Sequence, residues 1–135
     1  MKRRNNEERT LTKAEMEIMS VLWDEGKPLT THEIITHYPD PKPAYSTVAT
    51  FLKILTKKEF IAPQKQEGGG KTFVFAPLLT RDEYTARMMK EVKSTFFGNS
   101  LKSLLSFFVE QEELTAEEIE ELKLLMVKAE ERSRQ

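Results

Sequence analysis

The chain has 135 residues, with 21 Lys and Arg against 22 Asp and Glu, a net charge of −1 and no cysteine. Without cysteine there is no disulfide framework, zinc thiolate site, iron–sulfur cluster or thiol nucleophile. The length supports one domain or two small ones burying roughly two-thirds of the unfolded surface, and a near-neutral total taken alone argues against a nucleic-acid partner.

Residues 1–9, MKRRNNEER, are charged and lack the apolar stretch of a secretory signal. No apolar run approaches the ~18 residues of a membrane span. A soluble, cytoplasmic protein is expected. The two histidines, His32 and His37, miss the i, i+4 spacing that places a metal-binding pair on one helix face. No metal, no other cofactor and no catalytic residue is expected. Ser46 and Ser100 have no identifiable base, and Gly68 to Gly70 precede neither a Lys-Ser/Thr pair nor a helix, so they form no phosphate loop.

In chain order, four Thr-x-x-Glu capping boxes announce helices: Thr12–Glu15, Thr30–Glu33, Thr80–Glu83 and Thr115–Glu118. The first helix is predicted over about 12–25, with Ile18, Val21 and Leu22 as its apolar stripe, Gly26 just past its end and Pro28 blocking continuation. A short second helix over about 30–37 offers Ile34, Ile35 and Tyr38 for burial. The Pro-Asp-Pro-Lys-Pro turn at 39–43 cannot be helix interior. A third helix runs over about 45–58. Two strands, 60–66 and 71–77, flank the glycines in a hairpin. Three helical segments follow: 80–97 with Tyr84, Met88, Val92 and Phe96 at spacings of four, then 101–109, then 114–132.

Three helices and a two-stranded hairpin are the element order of a winged helix-turn-helix, in which the third helix enters the major groove and the hairpin is the wing. The fold class is therefore mainly α: a winged-helix DNA-binding domain at 10–77 and a helical dimerisation domain at 78–135. On a helical wheel Val48, Phe51, Leu52 and Leu55 form the core stripe of the third helix. Ser46, Ala49, Thr50, Lys53 and Lys57 occupy the opposite face, with Thr47 and Ile54 on its flank. That face is small, hydroxylic and basic, which suits close approach to base edges.

Divided by region, the charge tells a different story from its total. Residues 1–77 hold 12 basic and 10 acidic side chains, and residues 78–135 hold 9 and 12. Lys42, Lys53, Lys57 and Lys58 fall within 41–58, which contains no acid, and Lys65 and Lys71 flank the wing's turn. Phosphate contacts come from such groups. The candidate DNA-binding residues are Lys42, Tyr45, Ser46, Thr47, Ala49, Thr50, Lys53, Lys57, Lys65 and Lys71, and the expected partner is double-stranded operator DNA. Beyond Pro77 there are more apolar side chains than some fifty residues can bury alone, which points to a homodimer. Candidate interface residues are Met88, Val92, Phe96, Leu101, Leu104, Leu105, Phe108, Ile119, Leu122 and Met126, with Leu104 and Phe108 as anchors. The alternative is a winged-helix protein-interaction module that does not read DNA sequence.

LTKAEMEIMSVLW, LTTHEI and above all AYSTVATFLKILTKKEFI, with the wing KTFVFAPLLTRDEY and the tail SLLSFFVEQEELTAEEIEELKLL, resemble the BlaI/MecI/CopY family of bacterial penicillinase-type repressors from about Leu11 to Leu125. The resemblance implies a homodimeric repressor of β-lactam-resistance or copper-homeostasis operons that binds a palindromic operator, with Ser46, Thr47, Thr50 and Lys53 making contacts. It also implies a membrane sensor-protease as a partner. Three residue-level departures stand out. Glu59 occupies a position where the family often has Gly, so the third helix lacks its usual left-handed terminating residue. Phe107–Phe108 stands where the β-lactam repressors carry the Asn–Phe bond that is cleaved on induction. The absence of cysteine excludes the thiolate site of the copper-sensing branch.

Overall fold

Each of the four threonine boxes forms as a closed pair of bonds. The hydroxyls of Thr12, Thr30, Thr80 and Thr115 accept the amide of the glutamate three residues on, and that carboxylate accepts the threonine's own amide. Two of a helix's orphan donors are thereby satisfied at each start. The structure is a computed structural model describing residues 9–66, 68 and 70–135. Among these, α1 spans Lys13–Glu25, α2 Thr31–Thr36, α3 Tyr45–Lys57, β1 Ile61–Lys65, β2 Phe73–Pro77, α4 Arg81–Phe97, α5 Leu101–Gln111 and α6 Ala116–Ser133. The fold is mainly helical with one two-stranded antiparallel sheet.

The chain divides into two compact units, one ending at Met88 and the other running Met89–Gln135. The division falls inside α4 rather than at the 77/78 link that the change of composition suggests. The first half of α4 belongs with the N-terminal core for a packing reason. Tyr84 is buried there, its ring 5.8 Å from that of Phe60 and 6.1 Å from that of Trp23. Its hydroxyl accepts the Leu11 amide at 2.8 Å, and the Trp23 indole donates to the Leu79 carbonyl at 2.9 Å.

The core of the first unit gathers Ile18, Met19 and Leu22 from α1, Ile34 from α2, Val48, Leu52 and Leu55 from α3, and Leu29, Phe60, Ile61 and Tyr84. Met16, Val21, Trp23, Ile35, Tyr38 and Phe51 are partly buried against it, so the stripes read from periodicity are the ones that pack. In the hairpin, Ile61 pairs with Pro77, Pro63 with Phe75 and Lys65 with Phe73. Phe75 turns both its backbone groups the other way: its amide donates to Leu29 O at 2.8 Å and its carbonyl accepts from Leu29 N at 3.1 Å. Pro63 therefore sits opposite a residue that offers β1 no ladder bond. Its own missing N–H faces the open edge, where proline is tolerated. The Leu29 bridge extends the sheet by one residue that the alternation pattern does not announce.

At the end of α3, Glu59 adopts φ +64. The Phe60 amide donates to Leu55 O at 3.0 Å and the Glu59 amide to Thr56 O at 3.1 Å, the paired bonds of a Schellman termination. The turn thus has the geometry glycine usually provides, with a glutamate in the left-handed position. Left-handed backbone costs an L-residue about 1–2 kcal/mol, and glycine returns part of that through unfolded-state entropy. Glu59→Gly is expected to raise stability by about 0.5–1 kcal/mol. Urea unfolding should show a higher midpoint at unchanged slope; a lower midpoint would show that the Glu59 side chain outweighs the strain.

The second unit is thinly packed in a single chain. Leu104 is buried, and Phe107 meets Phe97 with ring centroids 5.6 Å apart. Phe96 is 74% exposed, Leu101, Leu105 and Phe108 are exposed, and no residue of α6 is buried.

Candidate nucleic-acid interface

The loop into α3 is held by a histidine and a lysine. His37 ends α2 with its Nδ1 2.9 Å from Glu33 O, while its Nε2 meets the Glu25 carboxylate at the end of α1. The Glu33 carbonyl first, and the Glu25 carboxylate second, push the imidazole pKa above its ordinary value. Lys42 donates to Tyr38 O at 2.7 Å and Thr36 O at 3.3 Å, satisfying carbonyls at the end of α2. A partner for Lys42 was not visible in the local pattern. Its ammonium is engaged in fixing the turn, whereas the sequence groups it with the DNA-facing lysines.

α3 itself starts differently from α1, α2, α5 and α6. Its N-cap is Ala44, with no side-chain cap bond and no acid in the first turn. Val48, Leu52 and Leu55 are buried, and Ser46, Thr47, Thr50, Lys53 and Lys57 are exposed on the other side. Ala49 is half-buried. Tyr45 is exposed and its ring lies 4.7 Å from that of His32, at the start of α2. This stack joins two helices and was not anticipated, because nothing in local spacing relates His32 to Tyr45. The Thr50 hydroxyl donates to Ser46 O at 2.8 Å.

Of the four lysines in 41–58, Lys58 leaves the set. Its ammonium is 2.7 Å from Glu15 Oε1 and donates to Thr10 O at 2.8 Å, with its side chain only 12% exposed. The exposed basic groups of the helix and wing are then Lys53 and Lys57 on α3 and Lys65 and Lys71 on either side of the turn. Gly68 has φ +93, a conformation L-residues rarely take; Gly69 lies outside the described residues. A groove of about 420 Å³ runs along one flank of α3, lined by Tyr45, Ala49, Lys53 and Lys57 together with Thr31 and the wing's Phe75.

The candidate interface residues of the second half divide three ways. Met88 is partly buried against the N-terminal core, and Leu104 is buried within its own chain. The physical reason for Met88 is helical drift: an i, i+4 series advances about 40° per step, so Tyr84, Met88, Val92 and Phe96 wrap around α4 instead of sharing one face. Val92 is half-buried, while Phe96, Leu101, Leu105, Phe108, Ile119, Leu122 and Met126 are exposed. Among the described residues no helix is long and apolar enough to cross a membrane.

Residues 11–128 match the family model described as penicillinase repressor. The penicillinase repressor of Bacillus licheniformis is 30% identical over 83% of this chain and 85% of its own length. That of Staphylococcus aureus is 28% identical over 87% and 91%. The methicillin resistance regulatory protein MecI of Staphylococcus aureus strain N315 is 28% identical over 92% and 98%. Among solved structures, the adhesin competence repressor AdcR of Streptococcus pyogenes aligns over 94% of this chain and 84% of its own, at 19% identity and a TM-score of 0.48. The relatives are transcriptional repressors, not enzymes. With its three-helix core, wing and exposed helix, the chain belongs to the penicillinase-repressor family and is a winged-helix, DNA-binding repressor.

Proposed function

We propose that this protein is a cytoplasmic homodimer that reads a palindromic operator, placing α3 of each protomer in the major groove with the wing alongside. The observation that carries the reading is the division of α3 into a buried aliphatic side and an exposed side of Ser46, Thr47, Thr50, Lys53 and Lys57. Lys65 and Lys71 on the wing extend the positive charge, and the backbone phosphates are its natural counterpart. Tyr45 and Ala49 lie on the flank of the same surface.

Dimerisation is supported by α5 and α6. An 18-residue helix with no buried residue gains nothing from tertiary packing, and isolated helices of this length are marginal in water. Leu101, Leu105 and Phe108 recur at i, i+4 and i+7 and are exposed, which is the stripe of a helix awaiting a partner. A two-fold dimer presents two recognition helices to two half-sites. The controlled genes are of the kind named for the relatives, those of penicillinase and methicillin resistance. A membrane sensor-protease as inducer belongs to the family resemblance. The Phe107–Phe108 pair does not carry the family's Asn–Phe cut onto this chain.

The test is binding to the DNA upstream of its own gene, measured across a salt series. Affinity should fall steeply with salt and exceed that for random DNA. Lys53→Ala should weaken binding to all sequences alike and reduce the logarithmic salt slope by about one, the signature of one lost phosphate contact. Salt-insensitive binding, or equal affinity for random DNA, would sink the reading.

A further inference from the structure

The exposed side of α3 consists of two parallel strips. Ser46, Ala49, Lys53 and Lys57 follow one another at i, i+3, i+7 and i+11, the last three bordering the groove beside the wing. Thr47, Thr50 and Ile54 follow at i, i+3 and i+7, roughly a quarter turn away around the helix. The first strip carries both lysines; the second carries no charge. α3 contains no Arg, Asn, Gln, Asp or Glu. Bidentate recognition of adenine by an amide, or acceptance from the cytosine amino group by a carboxylate, is therefore unavailable to it.

What the second strip does offer is methyl groups. The hydroxyl proton of Thr50 is committed to Ser46 O at 2.8 Å, leaving its methyl and lone pairs for a partner. Ile54 is 40% exposed and has no polar atom in its side chain; Val48, Leu52 and Leu55, the other branched aliphatic residues of the helix, are buried. The apolar group that the major groove presents is the C5-methyl of thymine. We propose that Thr50 and Ile54 read thymine methyl groups, so that base identity at those positions is set by methyl contact rather than by hydrogen bonding. The proposal rests on the DNA-binding reading above and adds the chemistry by which sequence is chosen.

The experiment footprints the full-length protein on the DNA upstream of its gene, then replaces thymines in each half-site by deoxyuridine, which differs only in lacking the methyl. At the contacted positions affinity should fall about fourfold per methyl, the factor that burial of one such group supplies. Thr50→Val keeps the methyl and removes the hydroxyl, and should keep the sensitivity to deoxyuridine, with affinity above that of the serine variant. Thr50→Ser keeps the hydroxyl and removes the methyl, and should lose both, as should Ile54→Ala at its own position. Both sites are exposed, and thermal melting of each variant checks that the fold is kept. A salt-dependent footprint whose affinity stays within twofold after complete deoxyuridine replacement overturns this proposal and leaves DNA binding standing. Loss with Thr50→Val but not with Thr50→Ser overturns it in favour of the hydroxyl. Absence of any specific footprint overturns it together with the DNA-binding reading.

Discussion

Lys58→Met is expected to lower the unfolding free energy by about 3–5 kcal/mol near neutral pH, the usual cost of leaving one member of a buried ion pair without the other. Glu15 is 3% exposed, and its Oε1 accepts both from Lys58 at 2.7 Å and from the Thr12 amide at 2.8 Å. Burial pushes the carboxyl pKa up. The bonds from Lys58 and the Thr12 backbone, with the lysine's charge, overcome it and hold the group below its ordinary range. A depressed folded pKa contributes stability that is present above the unfolded carboxylate value and is lost as pH falls through the folded one. Without Lys58 burial is opposed less, the folded pKa rises, and protonating Glu15 relieves the variant. The stability gap between wild type and Lys58→Met should therefore narrow on acidification. Urea unfolding at neutral and mildly acidic pH measures both gaps. A gap under about 1 kcal/mol, in the range of a surface ion pair, or one that does not change with pH, would show that the pair contributes little. Adding Glu15→Gln to the variant should recover part of the loss, since the capping amide bond survives and no charge stays buried.

Phe108→Glu should convert the proposed dimer into a folded monomer and weaken operator binding by two orders of magnitude or more, because the second half-site then loses its high effective concentration. Phe108 is half exposed in the single chain, on the same stripe as Leu101 and Leu105, so a glutamate there is solvated in a monomer and desolvated only in a dimer. Leu105→Glu should behave alike. Leu104→Glu tests something else: that side chain is 6% exposed within one chain, and a charge there disrupts the protomer itself. The discriminating measurement is solution mass at micromolar concentration. It should be near twice 15.7 kDa for the wild type and near 15.7 kDa for Phe108→Glu and Leu105→Glu. A monomeric wild type refutes the proposed dimer.

Local signals made most of the fold legible. All four capping boxes depend on residues three apart, and all four form. The wheel of α3 separated Val48, Leu52 and Leu55 from Ser46, Thr50 and Lys53 correctly, because amphipathic period and burial are the same constraint seen twice. Pairings between distant residues were not legible. Lys58 and Glu15 are 43 positions apart, so the basic cluster at 41–58 held one lysine more than the surface does. Lys42 was a charge in a sequence until the carbonyls of Thr36 and Tyr38 came within its reach. The Leu29–Phe75 bridge and the His32–Tyr45 stack arise only once α2, α3 and the hairpin are assembled. Glu59 shows the reverse case. Its identity argued against a left-handed termination, yet burial of Phe60 and Leu55 on either side imposes one.

Pro63 has a bearing on solubility. In the hairpin β1 has an open strand edge, and an unpaired edge is a template on which another chain can build sheet. The β2 side is occupied by Leu29. On the β1 side the central outward position is a proline with no hydrogen to donate, and the next is Lys65. Two wings brought close are thus hindered from pairing edge to edge. The same residue that interrupts the strand blunts the hairpin's one open edge as a template for sheet growth.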